Sequence, residues 1–509
     1  MAKTFNLADR LKIQAILDTR KVNRTALERW ARRTFRHPGT RAAGLPPIVS
    51  APDHYRSPIL PAALKVPQFI PASNHLSIDY VVPYYILDGI VFNALRVLPL
   101  SGDVPWTPDA LPYPPFPAHP EGWTDIQSDE AFTALRLQGP NPFLLRRVAD
   151  DRFEVDYGPY FAGILEPVVC AFRLEAGRLV PDAIRQGERT ARPGEAGWER
   201  AKFVANALDA RFTVFLRHLA HTHLITGQAY AISALALPAG HALRPFLDFF
   251  TYGTLVVNDF AFKLLVTPAS YFIQSNFITG EQVGKAFANF VPHWRLTQLI
   301  PRKDIAERGL DAIPDHPYVA EAPRVWDAFE GFVRGHLKPL YADDAAVVAD
   351  AALQAWYTQL LALMPGLDAA QEPLTGVDRL VEVLTVLLYL NVSHEVAGDF
   401  SPYTMSDVPA HKKLIHMDNV LSETDAPPRA VDVFLFDQGA YAGRFDNGGN
   451  FLMTMDLDAQ VPDAALRASL RGLQQALTTL DQEMAARNRA RAIPFLRLQP
   501  HRWKASISY

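Results

Sequence analysis

From about residue 125 onward, apolar positions recur at helical spacing in long segments at 198–236, 241–266, 324–336, 343–364, 377–397 and 462–487. A period of three to four residues turns one stripe of a helix toward a core, so each segment is predicted as a helix. Two stretches are apolar almost all round, LITGQAYAISALAL at 224–237 and LVEVLTVLLYLNV at 380–392. A helix that is apolar all round belongs at the centre of a fold rather than on its surface. Shorter apolar runs near 152–175 and 433–456 read as small sheets or hairpins. The pattern predicts a mainly α protein with small β elements, without internal repeats or low-complexity tracts.

The first 45 residues differ from the rest. They carry eleven Lys or Arg against Asp9, Asp18 and Glu28, and their apolar residues (Leu11, Ile13, Ile16, Leu17, then Leu27, Trp30, Ala31) also recur at helical spacing. The plainer reading is one or two helices packed on the main domain with a solvated basic face. The sharper one is peripheral contact with an anionic membrane surface. A Pro-rich stretch runs from Pro38 to Pro71, and another, VPWTPDALPYPPFPAHP, spans 104–120. Both are expected to be extended chain wrapped on a core, since proline removes a helical donor. The division that follows is 1–75 as a basic helical extension with its linker, a candidate lid, and 76–509 as the main domain.

Composition narrows the classes. With 509 residues, 49% of them hydrophobic and 20% charged, there is ample apolar surface for a large soluble core. The formal net charge of −4 and a sequence pI near 6.4 give no electrostatic footprint for nucleic acid. A single cysteine, Cys170, rules out an intrachain disulfide and suits a reducing compartment. The start, MAKTFNLADRLKIQ, lacks the apolar core of a secretory signal, and no uninterrupted apolar stretch has transmembrane length. The expectation is a cytoplasmic protein.

Candidate chemistry lies in the histidines that border the two all-apolar segments. His218, His221 and His223 sit together in RHLAHTHL, and His394 lies in NVSHEVAGDF. Each buried imidazole needs a hydrogen-bond or metal partner away from water. Spacing alone admits several ligand sets, among them His221 with His223 and His218 with His223. For the second pair, five residues at roughly 100° each leave the two side chains about 140° apart on a regular α-helix, too far for one metal. A π-type turn brings positions i and i+5 nearly onto one face, and such turns concentrate at functional sites. If these two histidines share a metal, the helix must be bulged between them. Imidazole suits iron as well as zinc.

Here the sequence resembles the lipoxygenase family, through motifs that occur in the family's order over most of 120–509. His218, His223 and His241 keep its His-x4-His spacing with a further histidine after seventeen residues. WERAKFVANALDARF (198–212) is similar to its Trp-x-x-Ala-Lys run, and SDEAFTALRLQGPNPFLLRRV (128–148) to its Asp-Glu-x-Phe and Asn-Pro segment. YADDAAVVADAALQAW (341–356) is similar to its Tyr-x-x-Asp segment, and EMAARNRARAIPFLRLQPHRWKASISY (483–509) to its ending.

The resemblance implies a helical catalytic domain built around a long central metal-binding helix, of the bacterial type that lacks an N-terminal β-barrel. It implies a non-haem iron dioxygenase of lipid metabolism, an oxidoreductase that inserts O2 into a polyunsaturated fatty acid or acyl chain and yields a hydroperoxide. The metal ligands carry over at His218, His223, His394 and the main-chain carboxylate of Tyr509, where the family usually ends in Ile. A carboxylate is a hard oxygen donor suited to iron, and these ligand types do not distinguish iron from manganese. Leu265 and Val266 fall where the family clamps its substrate, and Ala261 where it sets stereochemistry; each also reads as core packing. His221 is expected beside the site rather than on the metal, and His241 off it.

Three positions depart from the family. Gly398 stands where it has its fourth side-chain ligand, with Asn391 and Asp399 as the nearest substitutes. Ser401 and Val214 replace two glutamines that link the substrate channel to the metal's surroundings. Such outer bonds tune a metal site, so two alternatives stand beside the dioxygenase: a lipoxygenase-like oxidase with a different biosynthetic or hydroperoxide substrate, and a metal-free protein that binds lipid.

Overall fold

The structure, a computed structural model, describes residues 6–12, 14, 44–50, 60, 61, 63–71, 128–261, 279–398 and 451–507. Most of the basic 1–45 segment, the 104–120 stretch, residues 433–450, and the positions Leu265, Val266, Asp399, Ser401 and Tyr509 lie outside them. Of the first Pro-rich stretch, the described residues include two short extended segments, β1 (Ile48–Ser50) and β2 (Lys65–Pro67), which pair antiparallel.

Helix α1 (Asp129–Gln138) is capped by Ser128, whose side chain accepts from the Ala131 amide. An antiparallel meander follows: β3 (Arg146–Ala149), β4 (Arg152–Asp156), β5 (Val168–Glu175), β6 (Arg178–Gln186) and β7 (Arg189–Ala191). It extends the sheet expected near 152–175. Alternation divides its faces. Phe153 pairs with Phe172 and Val155 with Cys170, all buried, whereas Arg152–Asp182 and Arg185–Glu154 form ion pairs of 2.8 and 2.7 Å on the solvent side. Phe172 stacks on Phe132 of α1 at 5.8 Å, which fastens sheet to helix. Burial in that packing pushes the Cys170 thiol up to about 12, so it stays protonated and acts as a small core residue.

The apolar segment 198–236 forms one continuous buried rod: α2 (Trp198–Arg211), a π-helix (Phe212–Gly227), α3 (Gln228–Ser233) and a 3-10 turn (Ala234–Ala236). The segment expected as a single helix at 241–266 is broken at Gly253, whose φ of 77° separates α4 (Arg244–Phe250) from α5 (Thr254–Phe260). After α6 (Gly280–Phe290), α7 (Pro301–Arg308) and α8 (Pro317–Leu337), the segment 343–364 is also two helices, α9 (Asp344–Ala349) and α10 (Ala351–Ala362). Asp350 leaves helical geometry between them and its carboxylate caps α10 through the Leu353 amide.

Helix α11 (Val377–Gly398) lies against the π-helix on one side and α8 on another. By length and composition it is apolar enough to cross a membrane, yet 94% of its most apolar window is buried by the rest of the chain. That burial makes it a core helix. The short α12 (Leu457–Gln460) leads into α13 (Ala464–Ala490), which is joined to α8 by buried Glu321 accepting from Arg487 and Arg491 at 2.7–2.9 Å. The chain then turns inward. Arg497 donates to the Val396 carbonyl at 2.9 Å, Asn391 Nδ2 donates to the Ala505 carbonyl at 2.8 Å, and Trp503, Ala505, Ser506 and Ile507 are buried. The C-terminal segment is therefore laid along the helix that carries His394. Residues 451–456, the described end of the second run expected as sheet, contribute one isolated bridge, Phe451 to Lys504.

Candidate metal centre

The π-helix answers the geometric question raised by the spacing. A bulge was expected between His218 and His223; the departure extends over sixteen residues, Phe212–Gly227. At its end the Gln228 amide donates to the His223 carbonyl, five residues back. Side chains supplement the backbone bonds. The Thr222 hydroxyl donates to the His218 carbonyl, and Asn258 Nδ2 of α5 donates to the His223 carbonyl at 2.9 Å. Donors supplied from the side lessen the need for a strict i to i+4 ladder.

With the helix wound this way, His218 and His223 turn to the same side and meet His394 of α11. His218 Nε2 is 2.8 Å from His394 Nε2, His223 Nε2 is 2.9 Å from His394 Nε2, and the two on the π-helix are 3.2 Å apart. Among the described residues this is the group of histidines and acids placed to hold a metal. His223 and His394 are buried and His218 half-buried.

The protonation states follow from the surroundings. Asn258 directs both amide hydrogens to acceptors, the His223 carbonyl and Gln228 Oε1, so its Oδ1 faces His223 Nδ1 at 2.8 Å as an acceptor. His223 must donate from Nδ1, which leaves the Nε2 lone pair aimed into the cluster. Burial lowers the His223 pKa to about 4, against a smaller opposing effect of Asn258. Burial, then His218, His223 and Lys504, holds His394 far below the usual imidazole range. Both rings are neutral at physiological pH, the form that binds metal.

Three nitrogens this close fit a cation. A neutral imidazole carries one N–H, and a proton shared along one edge of the triangle leaves lone pairs opposed elsewhere. Nitrogens bound at about 2.0–2.1 Å stand about 2.8–3.0 Å apart when bond angles are near 90°, and about 3.3–3.4 Å at tetrahedral angles. The observed 2.8–3.2 Å suits three facial positions of an octahedral ion better than a closed tetrahedral site.

The other candidate residues fall elsewhere. His221 Nδ1 lies 2.8 Å from Arg217 Nη1, and its ring packs near Phe290 and Trp294. It stands beside the metal group, not in it. His241 lies 3.0 Å from Asp350 Oδ2, the residue that caps α10 and also accepts from Tyr341, so it fastens the α4 approach to α10. Asn391 spends its Nδ2 on the Ala505 carbonyl, while its Oδ1 is buried with no partner among the described residues. Ala261 is buried one residue beyond α5. Gly398 closes α11 and offers no side-chain donor.

Asn258 was not singled out from the sequence. Its one legible signal was an amide directly after Leu255, Val256 and Val257 of α5, at a helical position that is fully buried. Because an outer hydrogen bond that fixes a ligand tautomer typically contributes 10–100-fold to metal affinity, Asn258→Ala is expected to weaken metal binding by about 10–100-fold. Competition with a chelator of known affinity measures this, and unchanged affinity would remove Asn258 from the site.

The lipoxygenase family profile matches residues 182–431, a span that contains all three histidines. The chain carries a lipoxygenase-family catalytic domain. It is 27% identical over 470 residues to a linoleate 9/13-lipoxygenase of Pseudomonas aeruginosa, covering 76% of this chain and 68% of that one. A human polyunsaturated fatty acid lipoxygenase, ALOX15B, is 24% identical over 327 residues, but the match spans only 48% of its length. For a chloroplastic linoleate 13S-lipoxygenase of Solanum tuberosum the match spans 28% of the relative. Solved structures agree in fold. A lipoxygenase in complex with arachidonate superposes with a TM-score of 0.64 at 20% identity, covering 75% of this chain and 67% of that one. The coral 8R-lipoxygenase superposes at 0.63 and 19% identity, covering 76% and 67%. The family comprises oxidoreductases named for adding O2 to fatty acids, and this mainly helical lipoxygenase-like domain has the same architecture.

Proposed function

We propose that the protein is a non-haem iron dioxygenase that inserts O2 into a polyunsaturated fatty acid or acyl chain and releases a hydroperoxide. The observation that carries this reading is the convergence of the His218, His223 and His394 Nε2 atoms at 2.8–3.2 Å inside a lipoxygenase-family domain. Tyr509, through its carboxylate, is the fourth protein ligand in this proposal, and the buried run Trp503–Ile507 along α11 supports it by bringing the C-terminal segment to the ligand helix. Iron bound there would supply one-electron oxidation of a bis-allylic C–H; manganese is compatible with the same donors.

The chain's own part is to hold His223 and His394 neutral through burial, and to aim His223 through Asn258. It also keeps the site dry, with Leu216, Leu219, Leu390 and Val392 buried along the two ligand helices. Leu265, Val266 and Ala261 are proposed to hold the substrate chain beside the metal, with Ala261 placed three residues after the Asn258 that orients His223.

Gly398 favours one second reading, a lipoxygenase-like oxidase acting on a different substrate, because the site then has one side-chain donor fewer. Oxygen uptake with linoleate and with arachidonate separates the two. One conjugated diene formed per O2 consumed is the result expected of the dioxygenase. Metal-loaded protein that consumes no oxygen with either acid would exclude it and favour the second reading. Untagged protein that takes up no iron or manganese would instead leave a lipid-binding protein without this chemistry.

A further inference from the structure

Arg217 immediately precedes His218, and Ser393 immediately precedes His394. The two side chains meet across the helix pair: Arg217 Nε and Nη2 both donate to Ser393 Oγ, at 3.2 and 2.9 Å. The remaining contacts hold the guanidinium on every side. Nη1 lies 2.8 Å from His221 Nδ1, Nη2 reaches the Gln298 carbonyl at 3.4 Å, and the carbon of the guanidinium sits 3.8 Å over the Phe143 ring. Arg217 is buried, and these partners are a hydroxyl, an imidazole, a carbonyl and a ring face rather than a carboxylate.

A buried arginine held by neutral groups is an expensive way to join two helices that already bury Leu, Val and Ala against each other. Its rigid planar fork gives something those contacts lack, a fixed distance and orientation. Adjacent residues of a hydrogen-bonded helix move as one body, so a fork that sets the Arg217–Ser393 spacing also sets the spacing of His218 and His394.

We propose that Arg217 is a positioning residue of the metal centre, which through Ser393 holds the π-helix and α11 at the separation that places His218 and His394 on one ion. This rests on the reading of the three histidines as metal ligands. His221 has a part in it: by accepting from Arg217 at Nδ1, it braces the fork from the π-helix side, one turn beyond.

The test uses the full chain loaded with Fe(II), with iron release followed by a colorimetric Fe(II) chelator and ligand geometry by electron paramagnetic resonance of the oxidised, fully loaded protein. The variants are Ser393→Ala, which removes the acceptor, Ser393→Thr, which restores it, and Arg217→Met. Glu321→Gln, in the α8–α13 ion pair, serves as a destabilised control away from the centre. The expected result is iron release about tenfold faster or more in Ser393→Ala and Arg217→Met, the range known for outer-sphere partners of metal ligands. An altered resonance spectrum should accompany it, with Ser393→Thr and Glu321→Gln close to wild type in both.

Release at the wild-type rate with an unchanged spectrum in Ser393→Ala would overturn the proposal while leaving the histidine site intact. So would equal acceleration in Glu321→Gln, which would make the effect one of general stability. Should Arg217→Met fail to fold, the Ser393→Ala and Ser393→Thr pair decides alone. Wild-type protein that takes up no iron would overturn the three-histidine reading itself, and the positioning role with it.

Discussion

His394→Ala protein, purified without a tag, is expected to hold less than about a tenth of the wild-type metal, because losing a ligand costs more than the 10–100-fold typical of losing an outer partner. His223→Ala should behave alike. His394 approaches both other nitrogens, at 2.8 and 2.9 Å, so its removal leaves two donors from one helix and none from α11. The variant should fold. In the metal-free protein the three Nε2 atoms gain little from each other, because the neutral rings cannot satisfy every lone pair with a proton. Metal stabilises the folded state in proportion to RT ln(1 + [M]/Kd). Chelator should therefore lower the melting temperature of wild type strongly and that of His394→Ala hardly at all, the variant's own metal-free melting temperature being lower only by the cost of the cavity its buried ring leaves. Elemental analysis and paired melts with and without chelator measure both. Full occupancy in either histidine variant would remove that residue from the ligand set.

Gly227→Ala is expected to destabilise the protein by about 1–3 kcal/mol, the usual cost of overfilling a packed core. Helix propensity alone gives the opposite sign, since Gly to Ala inside a helix ordinarily stabilises by about 0.5–1 kcal/mol. The structure reverses it. A Cβ at 227 would stand 2.5 Å from the Thr222 carbonyl oxygen, 3.0 Å from Ile507 Cδ1 and 3.6 Å from Leu390 Cδ2. The first is backbone, five residues back, and cannot swing aside. The second belongs to the C-terminal segment and the third to α11. Gly227 is thus where the π-helix, the His394 helix and the end of the described chain come within contact of one another. A side chain there presses all three apart, so metal retention should fall together with the denaturant midpoint. A variant more stable than wild type would show that the π-helix and the tail do not close on this position.

Much of this was legible without coordinates. The stretches at 224–237 and 380–392 lie in central buried helices because they are apolar almost all round and have no broad face to offer water. The breaks within 241–266 and 343–364 were legible in retrospect. Gly253 and Asp350 interrupt runs whose apolar rhythm continues across them, and a local turn leaves a periodic signal almost unchanged. The partners of the ligands were less legible. Asn258 lies 35 residues from His223 and Ser393 lies 176 from Arg217. Nothing local marks such pairs, since their hydrogen bonds exist only once α5 and α11 have packed on the π-helix.

By itself the sequence determined the helical class, the buried pair of helices, the histidines at their borders, and the condition that His218 and His223 could share an ion only on a bulged helix. Those follow from residue type and angular spacing, which are local quantities. The tertiary structure decided which histidines meet, because His394 reaches the other two only through the packing of α11 on the π-helix. It also decided that His221 faces Arg217 instead, and that the His223 tautomer is set by an amide from a third helix. A metal centre is a set of distances between segments far apart in the chain. Those distances come from packing, which no stretch of sequence contains alone.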